Sequence, residues 1–230
     1  MQRGVSVIEL MIGIALLAFL LFLGVPAFQN FLMNTKVKNA AENVQTGLQL
    51  ARAEAVRRNV NVRFSLVSDL TSACAIQSGI MILSPTPPSW VVSLDDPAGA
   101  CDAAPSDTAA PRIIQKWNAL EGAAGVPWMI STSMTTTGVG GLGPASTLAQ
   151  LEFNGLGRLS RPVVMAGPNP GVGIISLQVN NLAIGAPFAC YGSAGGGEKN
   201  IRCLDVRVTN GGQVRMCDPY VTDAADPRFC

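Results

Sequence analysis

The chain has 230 residues, of which 48% are hydrophobic and 13% are charged, and it contains no histidine. A chain of this length can bury one sizeable core but hardly two, so we expect one folded domain. The formal net charge of +1 excludes the strong basic field that would announce a nucleic-acid partner. The lack of histidine excludes Ser-His-Asp triads, Cys-His dyads and HExxH zinc helices, so we expect a protein that is not an enzyme.

The first predicted element is an apolar segment from Val5 to Val25, in which Ser6 and Glu9 are the only polar side chains. About 20 apolar residues in a helix cross the ~30 Å hydrocarbon core of a bilayer. The segment therefore predicts a transmembrane helix. Arg3 precedes it, and the positive-inside rule then places the N-terminus in the cytoplasm and the remaining chain on the outer side.

Glu9 is an acid inside this segment, and a charge in a membrane helix costs free energy unless it has a partner. The sequence has no lysine or arginine between Arg3 and Lys36. The partner of Glu9 must therefore be Arg3, another chain, or a new amino terminus made by cleavage just before the apolar run. An ordinary signal anchor with an incidental glutamate is the alternative.

Gly4 followed by Val5-Ser6-Val7-Ile8-Glu9-Leu10 resembles the leader of type IV pilins and type II secretion pseudopilins. The resemblance implies that residues 1–4 form a leader, and that a prepilin peptidase cuts after Gly4 and methylates the amine of Val5. Glu9 lies at the family's glutamate position, which forms an assembly salt bridge. Pro26 lies at the position of its helix-kinking proline. The chain departs from the family at Val5, where phenylalanine is usual.

Residues 26–59 are predicted to continue the helix as an amphipathic segment, because apolar residues recur at three- and four-residue steps. Arg57 and Arg58 suit the negative end of a helix, and Asn59 is a suitable stop. The pattern Leu-x-x-Ala-Arg-x-Glu-Ala within this segment resembles the GspH/FimT family. That family includes the H-type minor pseudopilin and the FimU and FimT minor pilins.

In residues 60–230, short stretches alternate apolar and polar residues, as β-strands do, and clusters of glycine and proline separate them. Together with the helix they predict an α+β fold, in which a long N-terminal helix packs on an antiparallel β-sheet as in pilins. Ser131 to Ser146 and Gly192 to Gly197 are predicted loops. Strands are predicted at Val60–Leu66, Trp90–Leu94, Arg112–Trp117, Leu148–Phe153, Ile174–Val179 and Leu204–Val208.

The six cysteines contain no CxxC pair, and the first of them is Cys74. This pattern favours disulfides on the oxidising side of the membrane over a zinc site. A hairpin with its turn at Asn210-Gly211-Gly212 would place Cys203 and Cys217 nearly opposite each other. Six cysteines allow fifteen pairings, and the set we predict is Cys203–Cys217, Cys74–Cys101 and Cys190–Cys230.

No cofactor, metal or catalytic residue is predicted. Residues 138–143 match GxGxxG, but the string meets Pro144 and no helix, so a dinucleotide loop is not expected. The resemblance to FimT-type minor pilins implies a second hypothesis, because those proteins bind DNA through a C-terminal Gly-Arg-x-Arg motif. Here Gly212-Gln213-Val214-Arg215 has glutamine at the first arginine. Arg158 and Arg161 lie in another basic stretch with a different spacing.

The resemblance implies a FimU/FimT-like minor pilin that takes part in pilus assembly, at the tip or in the initiation complex. The alternatives are an H-type minor pseudopilin of a type II secretion system and a DNA-binding minor pilin of natural transformation. The implied partners are a prepilin peptidase, other pilins or pseudopilins, the inner-membrane assembly platform, and membrane lipid before assembly. The implied location is the bacterial inner membrane, with a periplasmic domain, and then the pilus or pseudopilus.

Overall fold

The computed structural model describes residues 6–76, 89–123, 128–135, 150–162, 174–181, 204–209, 211–218, 221 and 223–230. The described helices are α1 (Val7–Arg58) and α2 (Leu120–Ala123). The described strands are β1 (Val62–Val67), β2 (Ser89–Ser93), β3 (Ile113–Trp117), β4 (Trp128–Thr135), β5 (Gln150–Phe153), β6 (Leu159–Pro162), β7 (Ile174–Asn181), β8 (Leu204–Val208) and β9 (Val214–Cys217).

Helix α1 runs for 52 residues and continues through Pro26 as one helix, so the kink predicted there stays a prediction. It ends where the sequence predicts, because Asn59 adopts a left-handed conformation with φ 52° and ψ 40°. The backbone N–H of Asn59 donates to the carbonyl oxygens of Ala55 and Val56. Asparagine tolerates this conformation better than most residues, which explains the sharp stop.

The two halves of α1 differ in burial. Every side chain from Val7 to Phe22 is exposed, including Val7 at 76% and Phe22 at 78%. None of the described helices is both long enough and apolar enough to cross a membrane. The second half carries the predicted apolar face, and all of its members are buried to 2% exposure or less: Val37, Ala40, Ala41, Val44, Leu48, Ala51 and Ala55.

The predicted α+β fold, with a long N-terminal helix packed on antiparallel β-structure, is confirmed. The buried face of α1 packs against two antiparallel sheets where one was expected. The described strands form one sheet of order β3-β2-β1-β5-β6 and another of order β4-β7-β8-β9. Both sheets contribute to one core around α1. The core side chains from the sheets are Val62, Phe64, Leu66, Trp90, Val92, Leu151 and Phe153 from the first and Val206, Val208 and Val214 from the second.

The predicted alternation in the first strand is confirmed for Val62, Phe64 and Leu66, which are buried together. Val60 was assigned to the same strand, but β1 begins at Val62 and Val60 is 44% exposed. The helix stop at Asn59 explains this difference, because the chain needs two residues to turn from α1 into the sheet. The helix and β1 therefore pack face to face directly after the turn.

The predicted loop at Ser131 to Ser146 is wrong for its first five residues. Strand β4 continues to Thr135 and pairs with β7 from Trp128 opposite Asn181 to Thr135 opposite Ile174. Serine and threonine conceal a strand from an analysis of hydrophobic alternation, although threonine favours the extended backbone. Residues 136–149 and 192–197 lie outside the described part of the chain.

The exposed half of α1 is expected to be dispensable for folding, because no core residue among the described ones precedes Val37. A chain that begins at Phe31 should melt within about 2 °C of the full chain, since changes outside a core usually alter stability by less than ~0.5 kcal/mol. Circular dichroism of both proteins in the same detergent tests this. A much larger decrease in melting temperature would mean that the first half of α1 contributes to the folded domain.

Candidate functional site

The exposed half of α1 is the first candidate site. From Val7 to Phe22 it comprises sixteen residues, about 24 Å at 1.5 Å per residue. Large contiguous apolar surfaces are rare on monomeric soluble proteins and mark sites where another protein or a membrane binds. This segment, which we call the apolar rod, therefore requires a partner.

Glu9 lies in the first turn of α1 and is exposed. Its backbone N–H donates to the carbonyl oxygen of Ser6 at 3.1 Å, so the residue is part of the helix start. A carboxylate is favoured there because the N-terminal end of a helix carries a partial positive charge. No described residue forms an ion pair with Glu9, and the carboxylate is accessible to another chain. Gly4 and Val5 lie outside the described residues, so cleavage and methylation there stay predictions.

The Cys74–Cys101 disulfide is confirmed, with an S–S distance of 2.03 Å and a Cα–Cα distance of 6.0 Å. Both cysteines are buried, at 3% and 0% exposure. They belong to a second, smaller core cluster that also contains Val67, Val91 and Ile113. The disulfide therefore holds the loops after β1 and β2 against the outer face of the first sheet.

The other two predicted pairings are wrong, because Cys217 bonds to Cys230. In the β8–β9 hairpin, Val208 pairs with Val214 and Cys217 pairs with Asp205, two positions from Cys203. The turn is thus longer than the one that would place Cys203 opposite Cys217. Cys190 and Cys203 lie outside the described residues.

Ligand atoms of Asp205, Cys217 and Cys230 lie within 4.8 Å of one another. This arrangement resembles a metal-binding cluster only in its distances. Both sulfur atoms are already joined in the disulfide, and a thiolate is the form of cysteine that binds a metal. The two cysteines instead join the end of β9 to residue 230.

The structure brings together two glycine-containing turns that lie far apart in the chain. One turn joins β5 to β6 and contains Gly157, and the other joins β8 to β9 and contains Gly212. A Cβ atom on Gly212 would lie 1.8 Å from the carbonyl oxygen of Gly157. Arg52 of α1 donates from Nε to the same oxygen at 3.1 Å. This two-turn contact joins both sheets to the helix, and separation along the chain hid it from sequence analysis.

The three arginines of the DNA hypothesis have different surroundings. Arg158 is exposed beside the two-turn contact and forms no ion pair within the described part of the chain. Arg215 donates from Nη2 to the carbonyl oxygen of Phe229 at 2.7 Å and so holds the segment after β9. The backbone of Arg161 pairs with Glu152, and its side chain lies outside the description. DNA binding by these residues stays a prediction.

Comparison with known proteins decides the family. Residues 40–172 match the family model described as Type II transport protein GspH. The chain belongs to the GspH family. Its role is accordingly that of a type IV pilin-like or GspH-like subunit, and other pilins or pseudopilins are its expected partners. No curated protein sequence matches the chain.

Two crystal structures of the type IV minor pilin FimU from Pseudomonas aeruginosa are similar to this GspH-family chain. One is 13% identical, with a TM-score of 0.39, and the alignment covers 78% of this chain and 90% of FimU. The other is 12% identical, with a TM-score of 0.40 and coverage of 81% and 91%. The family assignment rests on the match over residues 40–172.

The C-terminal end of α1 in this GspH-family protein carries a network of four charges. Glu54 Oε2 accepts from Arg57 Nη2 at 2.6 Å and from Arg58 Nε at 2.7 Å. Arg58 also contacts Asp107 at 2.5 Å. The hydrogen bond from Arg57, followed by that from Arg58, lowers the pKa of Glu54 against the opposing effect of partial burial. The network ties the loop after β2 to the end of the helix.

This network is expected to make stability depend on pH in the acid range. Because the pKa of Glu54 is lowered in the folded state, its contribution is present above the ordinary value of 4.5 and is lost as the pH falls through the folded value. Glu54→Gln should lower the free energy of unfolding at pH 7 by less than about 1 kcal/mol, since Arg57 is largely exposed. Urea denaturation should show that this difference shrinks at about pH 3.

Glu42→Gln is the matched control, because Glu42 faces Lys38 at 3.6 Å on an exposed surface of the same helix. We expect it to change the free energy of unfolding by less than Glu54→Gln at pH 7. An equal pH dependence in the wild-type chain and in Glu54→Gln would contradict the role given to Glu54.

Proposed function

We propose that this chain is a minor type IV pilin, a structural subunit that enters a pilus at its tip or initiation complex. The observation that carries the proposal is the apolar rod from Val7 to Phe22, fully exposed beside a folded domain and bearing Glu9 in its first turn. Such a surface suits burial among the helices of neighbouring subunits. The domain after Val37 then faces outward, held by its disulfides.

Before assembly, the segment from Val5 to Val25 anchors the chain in the inner membrane, with the domain in the periplasm. A prepilin peptidase removes residues 1–4 and methylates the new amine at Val5. In a helix that extended to Val5, this amine would lie about 6 Å along the axis from Glu9 of its own chain, at 1.5 Å per residue. In a staggered neighbour the two groups come closer, so Glu9 can select the register of the incoming subunit. The inner-membrane assembly platform is the implied partner in extraction.

The length of the outer domain and its six cysteines support a minor pilin over a secretion pseudopilin. One observation favours the second candidate, an H-type minor pseudopilin, because the matching family model is described as a type II transport protein. Deletion of the gene distinguishes the two candidates. Loss of surface pili with normal protein secretion supports the minor pilin, and the reverse phenotype supports the pseudopilin.

Mass spectrometry of the chain recovered from membranes and from sheared filaments tests the proposal shared by both candidates. The expected N-terminal peptide begins at Val5 and carries one methyl group. A peptide beginning at Met1 in both fractions would contradict processing. Recovery in membranes alone, in cells that make filaments of the relevant type, would contradict the role as a filament subunit.

A further inference from the structure

The end of the domain opposite the apolar rod has an exposed surface that combines apolar and basic side chains. A Cβ atom on Gly157 would lie 2.9 Å from Val56 and 3.2 Å from Arg52, so the β5–β6 turn lies directly on the last turns of α1. Val56 is 51% exposed and Leu156 is 76% exposed. Arg158 follows in the same turn. We call this surface, formed by Arg52, Val56, Leu156 and Arg158, the upper patch.

The charges of the upper patch are not compensated within the described part of the chain. Arg52 donates to a backbone carbonyl, and neither Arg52 nor Arg158 contacts a carboxylate there. Six other described arginines form ion pairs with carboxylates, whereas Arg215 donates to backbone oxygens. The six are Arg57, Arg58, Arg63, Arg112, Arg207 and Arg228. A partner that covers the upper patch must therefore present acidic groups beside apolar ones.

A segment that exposes an acid beside small apolar groups lies at the other end of the same domain, and Arg207 and Arg215 donate to its backbone oxygens. The Cys217–Cys230 disulfide closes a loop that carries three aspartates and one arginine. Asp218 and Arg228 from this loop line a groove together with Phe31 and Thr35 of α1. We call the described residues of this segment, 217–218, 221 and 223–230, the lower loop. Thr35 and Arg52 are seventeen residues apart, so the lower loop and the upper patch lie about 26 Å apart along the helix axis.

Asp223 is an exposed carboxylate of the lower loop, and its neighbours Ala224 and Ala225 are exposed apolar groups. One Asp223 oxygen accepts the backbone N–H of Ala225 at 2.9 Å, which holds the turn in shape. Asp226 is already paired with Arg228 at 2.7 Å. Asp223 is therefore the group best suited to meet a guanidinium from outside.

We propose that the upper patch of one copy binds the lower loop of a second copy, with Arg158 and Arg52 facing Asp223 and Leu156 packing on the alanines. The contact joins two different surfaces, and a contact of that type builds open helical assemblies when its rotation does not close. The contact goes beyond the proposed function, because a subunit at the tip or in the initiation complex has other pilins as its neighbours. It does not involve the apolar rod, so it can be tested separately from filament incorporation.

A charge exchange tests the contact in two preparations, the full chain in nonionic detergent and the chain beginning at Phe31. Sedimentation velocity is expected to show association that increases with concentration and weakens when salt is raised from about 0.05 to about 0.5 M. Arg158→Glu and Asp223→Arg should each weaken association about tenfold, since each converts an exposed attraction into a repulsion. In an equal mixture, the upper patch of the Arg158→Glu variant can bind the lower loop of the Asp223→Arg variant, because their charges are opposite. Association of the mixture should therefore return to within about threefold of wild type.

Leu156→Asp and Leu120→Asp form a matched pair, because both leucines are exposed, at 76% and 50%. Leu156→Asp should weaken association at least as much as Arg158→Glu, and Leu120→Asp should have no effect. The proposal is overturned if neither preparation associates, if association resists salt and both charge variants, or if the mixture fails to recover. Recovery in the mixture together with absence of the chain from filaments would support the contact and contradict the proposed function.

Discussion

Replacing Glu9 by alanine is expected to lower the amount of this chain in filaments at least tenfold, with no change in the stability of the domain. The proposed partner of Glu9 is the methylated amine of Val5 in a neighbouring subunit. Two opposite charges about 4 Å apart interact by about 4 kcal/mol at an effective dielectric constant near 20, before desolvation is subtracted. If the subunit enters in the wrong register, the Glu9 carboxylate is buried unpaired among apolar helices, which costs further free energy. The acid should therefore act on subunit placement.

Immunoblots of sheared filaments, normalised to the membrane fraction, measure this effect. Glu9→Asp keeps the charge on a shorter side chain and should retain part of the incorporation, whereas Glu9→Gln should behave like Glu9→Ala. Glu42→Ala is the control on the same helix, since Glu42 is exposed and far from the rod. Equal incorporation of Glu9→Ala and wild type would remove the role assigned to this carboxylate.

Gly212→Ala should destabilise the domain by about 3 kcal/mol or more, the largest effect that we expect on stability. Gly212 has φ +76°, a conformation that L side chains rarely adopt. The added methyl group would also overlap the carbonyl oxygen of Gly157, which lies 1.8 Å from the Cβ position. This clash is with backbone, so a change of rotamer cannot relieve it. Relief requires the two turns to separate, and the Arg52 hydrogen bond to Gly157 would be lost with them.

Chemical denaturation followed by circular dichroism measures the change, and the neighbouring glycine supplies the control. A Cβ atom on Gly211 would meet only Thr209 Oγ1 at 3.8 Å, which is an ordinary contact. Gly211→Ala should therefore change the free energy of unfolding by less than about 0.5 kcal/mol. Similar values for both variants would show that the two-turn contact does not hold the sheets together.

Burial along α1 follows from the local periodicity of its sequence. The apolar face of α1 from Val37 to Ala55 was predicted from steps of three and four residues, and all its members are buried. Asn59 was predicted as the stop from the preference of asparagine for helix ends. The strand β4 was missed because its serines and threonines carry no apolar alternation, and backbone pairing with β7 holds it in place.

The disulfides show the limit of the same approach. Cys74–Cys101 was predicted correctly, but Cys217 pairs with Cys230 because the β8–β9 register differs from the assumed one by two residues. The register of a hairpin depends on the length and shape of its turn, and a sequence containing Asn-Gly-Gly permits more than one turn. The candidate sites differ in the same way. Glu9 was predicted from its position in an apolar run, whereas the upper patch joins residues far apart in the chain and was not predicted.

By itself, the sequence determined the apolar rod with its acid, the buried face of the helix, its end at Asn59 and the family resemblance. These features depend on residues a few positions apart, and such neighbours are fixed by helix geometry alone. The tertiary structure decided the division into two sheets, the Cys217–Cys230 bond, and the meeting of Arg52, Gly157 and Gly212. Those contacts join residues far apart in the chain, and their positions follow from packing around the shared core.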